Sequence, residues 1–169
     1  MESWSTFAMI AGSAAAGLTG LLFVAVSIRM DVIAQSRELR NRAAQTLELF
    51  VTVLFVGILL SIPAQSIRIF GVELVALAVI TGAGFLILDR RARGGASMGD
   101  GRAHALASIL DAVSPNAVTA ALILIAGVLL LAGIHAGLDV LVAPVIVAIA
   151  GGVASAWLLL TKIPASPGV

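Results

Sequence analysis

The stretch Leu47–Leu88 reads LELFVTVLFVGILLSIPAQSIRIFGVELVALAVITGAGFLIL. Only Glu48, Arg68 and Glu73 are charged in it, and its one break is the turn around Pro63-Ala64-Gln65-Ser66. Proline cannot continue a helix interior, because it lacks the N–H and its ring meets the preceding turn. The stretch therefore predicts two apolar helices, about residues 47–62 and 67–88, folded back on each other. About 20 apolar residues at a rise of about 1.5 Å each cross the hydrocarbon core of a bilayer. The apolar residues run on without alternation, which argues against membrane β-strands. The expected fold class is all-α and integral to a membrane.

Working outward, similar segments occur at Phe7–Ile28, Ala117–Gly137 and Val140–Leu160. Together they predict a five-transmembrane-helix bundle, one membrane domain over residues 1–169. The composition agrees: 60% of residues are hydrophobic and 11% charged, against about half and a quarter in soluble domains. Ser114-Pro115 suits the N-cap and first position of the fourth span. Gly137 suits that span's C-terminal cap, Asp139 the N-cap of the fifth, and Pro144 a bend within it. Met1-Glu2-Ser3-Trp4 lacks the basic start of a signal peptide, so the first span is expected to be retained.

Two longer loops, residues 29–46 and 89–115, join these spans. The first has neither glycine nor proline, and Glu38 and Arg42 stand i,i+4, so it should be helical. It would either extend span one or lie at the interface. The second should be flexible over 89–103 and then form a short amphipathic helix through Leu106, Ile109, Leu110 and Val113. Residues 165–169 read as a loose tail. With five spans, Arg29, Arg37, Arg40, Arg42, Arg90, Arg91, Arg93, Arg102 and Lys162 fall on one side and only Arg68 on the other. Basic loops stay cytoplasmic, so the N-terminus is expected outside and the C-terminus inside. Residues 29–88 and 89–161 then share one topological plan.

The candidate polar or ion site lies in the outer half: Glu73, Gln65, His135, Arg68 and Asp139. An ionisable group within a span is costly and usually meets a partner or water. Glu73 is the leading functional candidate, with Gln65 or His135 as partner. Arg68 is disfavoured as that partner, because i,i+5 puts it on another face. The alternative is that Glu73 reaches the headgroups or makes a structural hydrogen bond. Glu48 is expected to pair with a loop arginine. Gly12, Ala16 and Gly20, with Gly133, Gly137 and Gly152, read as helix-packing positions, since small residues allow close approach in lipid.

The absence of cysteine excludes disulfides and thiolate chemistry. No His-Glu-x-x-His or Gly-x-Ser-x-Gly pattern occurs, and the glycine-rich run 94–101 lacks the lysine of a P-loop. No catalytic residue, cofactor or metal is expected, and a net charge of +1 gives no sign of nucleic acid. The expected partners are the lipid bilayer, with anionic lipids at the cytoplasmic arginines, and further copies or a larger membrane complex.

The segment Ala16-Gly17-Leu18-Thr19-Gly20-Leu21-Leu22-Phe23-Val24-Ala25-Val26-Ser27-Ile28 and the corner Pro63-Ala64-Gln65 resemble a family of small bacterial membrane proteins. Its members are labelled modulators of a membrane-bound AAA protease. The resemblance covers about the first 66 residues and implies an accessory role in a bacterial inner membrane. Two functions are expected from all this: a non-enzymatic accessory or regulatory subunit, or an oligomeric channel or transporter for a small ion or solute with its site around Glu73.

Overall fold

The computed structural model describes residues 4–28, 30–93 and 114–161. Its regular elements there are helices: α1 (Ser5–Ile28), α2 (Met30–Gln35), α3 (Arg37–Leu60), α4 (Ile67–Arg93), α5 (Pro115–Leu131), α6 (Ala136–Val140) and α7 (Val142–Thr161). Four are long and apolar enough to cross a membrane: Ser5–Ile28, Arg37–Leu60, Ile67–Leu88 and Ala136–Leu158, the last running through the break at Leu141. Pro115–Leu131 is apolar but shorter, at 17 residues. This is the pattern of a multi-pass membrane protein.

Local chemistry sets the helix ends. The Ser36 hydroxyl accepts from the Leu39 N–H at 3.3 Å, and Glu38 stands in the first turn of α3, near its positive dipole end. The predicted Glu38–Arg42 pair forms at 3.1 Å. Residues 37–46 therefore extend the second span rather than the first, with α2 between. On the other side of the turn, α4 continues to Arg93, past the expected loop start at residue 89. The glycine-rich run and the amphipathic segment around Leu106 lie outside the described residues.

At the start of α5 the Ser114 hydroxyl accepts from Ala117 N–H at 3.2 Å, with Pro115 at the first position, as expected. Its end departs from expectation. The helix stops at Leu131, and Gly133 takes a positive φ of 78°. Ile134 N–H reaches Leu129 O at 2.9 Å, and Gly133 N–H reaches Leu130 O at 3.0 Å. These two bonds make a Schellman cap, in which glycine avoids a Cβ penalty. Gly133 is thus a capping residue, and Gly137 lies beyond the cap, inside α6. Asp139 is likewise within α6 and exposed, not an N-cap. Gly133→Ala should cost about 1–2 kcal/mol, read as a lower midpoint of thermal unfolding in detergent.

α3 is the central helix. Leu49, Val53, Val56 and Leu60 repeat at helical spacing and are all buried, beside the buried ring of Phe50. They pack with Ala8, Ala11 and Ala15 of α1, Phe70 and Leu74 of α4, Ile123 and Leu130 of α5, and Val145 and Ala148 of α7. Three close approaches depend on glycine. A Cβ on Gly57 would stand 3.0 Å from both Ala8 O and Gly12 Cα. One on Gly127 would stand 3.0 Å from Gly71 O, where α4 crosses α5. One on Gly152 would meet the Phe50 ring at 2.4 Å. Within the chain, then, α1 packs through Ala8, Ala11, Ala15 and Gly12. Ala16 and Gly20 are exposed, and Gly20 has open space around it.

Candidate functional site

Two polar places interrupt this apolar interior. One, at the Pro63 turn, is the predicted cluster in reduced form. The turn Ile62–Ser66 brings Gln65 over the first turns of α4, and Gln65 Nε2 donates to Glu73 Oε2 at 2.5 Å. Gln65 Oε1 is buried with no partner. The side chains of Arg68, His135 and Asp139 are exposed, and among the described residues none joins this pair. The turn also holds Ala64 at φ 55°, a left-handed conformation that bends the chain sharply enough for Gln65 to reach back.

The other place, between α3, α4 and α5, involves residues not expected to act together. On α3, Gln45, Glu48 and Thr52 lie on one face at i, i+3, i+7. On α5, Asn116 follows the N-terminal proline, and Thr119 sits three residues on, above it. On α4, Thr81 and Gly84 share a face in the same way. The three faces meet. Asn116 Nδ2 donates to Glu48 Oε2 at 3.2 Å and to the Gln45 carbonyl at 3.0 Å. Glu48 Oε1 lies where Gly84 leaves room: a Cβ there would come within 2.7 Å of it. Among the described residues the partners of Glu48 are therefore Asn116 of α5 and the Phe85 backbone of α4, and no arginine pairs with it. A packed interior selects a short amide that can donate twice, and Asn116 is only 8% exposed.

A narrow seam with no room for a water molecule runs between these helices, lined by Glu48, Thr52, Thr81, Asn116, Thr119 and two apolar neighbours. Its hydroxyls differ in state. Thr52 donates to Glu48 O at 2.7 Å and Thr81 to Leu77 O at 2.9 Å, the usual back-bonding of threonine in a helix. Thr119 is 3% exposed, and its Oγ1 has no partner. Among the described residues no three His, Cys, Asp or Glu side chains converge. One carboxyl group, one amide and three hydroxyls thus make a polar cluster between three apolar helices, suited to hydrogen bonding across them.

Set against known protein families, curated proteins and solved structures, the chain has no significant match. The reading of function therefore rests on this geometry.

The cluster around Glu48 was hard to find in the sequence because its members are 68 and 71 residues apart in Glu48–Asn116 and Gln45–Asn116. One signal was available. Glu48 and Asn116 each stand near the N-terminal end of an apolar segment.

Proposed function

We propose that the protein is a non-enzymatic, multi-pass protein of the bacterial inner membrane, an accessory or regulatory subunit of a membrane complex. In this reading all five apolar segments cross the bilayer, α5 among them, with the N-terminus outside and the basic loops and C-terminus in the cytoplasm. The supporting observation is the hydrogen bond from Gln65 to Glu73. The partner of the Glu73 carboxylate comes from its own hairpin, as a structural tie needs and a conducting path does not. The exposed small residues Ala16, Gly17 and Gly20 agree with close contact to a helix of another subunit.

Affinity purification of the tagged protein from native membranes in mild detergent should recover a second protein in constant ratio. Recovery of this chain alone would count against the reading. In proteoliposomes, the wild type and Glu73→Gln should both show ion flux at the level of empty vesicles. Flux above that level which falls in Glu73→Gln would favour the oligomeric channel instead.

A further inference from the structure

We propose that the slot between the C-terminal halves of α1 and α7 holds one acyl chain of an anionic phospholipid, with its headgroup at the arginine-bearing end of α3. The slot follows from where the small residues fall. Ala8, Ala11, Gly12 and Ala15 let the first half of α1 close onto α3, opposite Gly57. Three and seven residues after Ala15 the same stripe carries Leu18 and Leu22, and a space of about 230 Å³ opens beside it. On the other side, Gly152 lets α7 press against the Phe50 ring. Buried Phe50 is left as the floor. Leu18, Leu22 and Ala25 form one wall, and Ala156 and Trp157 the other.

Three observations name the occupant. The first is chemistry. The slot is lined almost wholly by carbon. Polar groups are what orient a polar ligand in a pocket, so a lining without them selects hydrocarbon. The second is length. Leu18 to Ala25 is seven residues, about 10 Å along the helix. That is about two thirds of the hydrocarbon depth of one leaflet, about 15 Å, along which an acyl chain runs.

The third is charge. Arg40 stands ten residues before Phe50 on α3, about 15 Å along the axis. It therefore reaches headgroup depth when Phe50 is near the bilayer midplane. Among the described residues Glu38 pairs with Arg42, which leaves Arg37 and Arg40 without a carboxylate partner. In the sequence, α1 is followed directly by Arg29 and α7 by Lys162. An anionic headgroup at this end meets positive charge. Such a lipid would bind whether or not the chain serves a larger complex.

The test uses the two tryptophans of the chain, Trp4 and Trp157. In a Trp4→Phe background, Trp157 on the slot wall reports alone. The purified full chain in detergent is titrated with phosphatidylglycerol brominated midway along one acyl chain, with lipid kept far below detergent. Bromine quenches indole on contact, so Trp157 emission should fall and saturate at one lipid per chain. Phosphatidylcholine brominated in the same way should bind about fivefold more weakly, the effect of one basic side chain near the headgroup. Ala156→Leu and Ala25→Leu fill the slot from opposite walls. Each should abolish saturable quenching and keep the Tm of the background, and the pair keeps the test decisive if one variant fails to fold. Quenching that rises without saturation, that survives both fillings, or that is equal for the two headgroups would each overturn the proposal. So would emission that changes with protein concentration and not with lipid, the mark of a second copy in the slot.

Discussion

Gly127→Leu should lower the thermal midpoint by about 6–12 °C in detergent. A Cβ at position 127 would stand 3.0 Å from Gly71 O, 3.0 Å from Val75 N and 2.9 Å from Val75 Cγ2. Two of these three are backbone atoms, so no rotamer change relieves them. The whole of α5 must move off α4, and with it Ile123, Ala126 and Leu130, which are almost completely buried. Overpacking of this kind costs roughly 3 kcal/mol, and a chain of this size loses about 2–4 °C per kcal/mol. Gly20→Leu is the control, because nothing lies near a Cβ there; it should leave the midpoint of the isolated chain unchanged. Equal midpoints for Gly127→Leu and wild type would mean that the α4–α5 crossing is not held by backbone contact.

Asn116→Leu should cost roughly 2–3 kcal/mol, through hydrogen bonds rather than volume. The substitution removes the donor that serves both Glu48 Oε2 and the Gln45 carbonyl. It leaves a carboxylate and a carbonyl facing an apolar side chain. Replacing both partners of a buried polar contact is far less damaging than replacing one. The double variant Glu48→Leu/Asn116→Leu should therefore recover much of the loss, and the double-mutant cycle should give a coupling of roughly 1–2 kcal/mol. Purely additive losses would show that the two side chains do not act as a unit. Because it leaves two buried acceptors without their donor, Asn116→Leu should be more harmful than Thr119→Val, whose hydroxyl has no partner.

Much of this architecture is a matter of composition along the chain. Apolar runs of about 20 residues with punctuated ends predict helices wherever they occur, since a backbone in lipid must satisfy its own hydrogen bonds. So the helical class, the hairpin at Pro63 and the cap at Ser114 could be read directly, as could the Glu38–Arg42 pair. All depend on residues a few positions apart. The end of the fourth apolar segment could not be placed as well. Gly133 and Gly137 are both glycines at plausible caps, and only the backbone dihedrals distinguish the Schellman residue from the one packed under Leu130.

The candidate sites divide along the same line. Gln65 and Glu73 are eight residues apart across one turn, and their pairing was within reach of the sequence. For the small residues, the composition of a span said that close packing was available but not which face would use it. Ala8, Ala11 and Ala15 won over Ala16 and Gly20 because α3 offers Gly57 opposite them. The cluster around Glu48 depends entirely on packing. Glu48 alone reads as one more charge near the end of a span, and Asn116, Thr119 and Gly84 as ordinary helix residues. The sequence by itself determined that there would be several apolar helices, and where most of them turn. Only the tertiary structure decided that α3, α4 and α5 bring one carboxylate, one amide and one unpaired hydroxyl together. The reason is physical: helix formation is governed by neighbours within four residues, whereas a buried polar contact is governed by which distant surfaces can approach closely enough to exclude lipid and water.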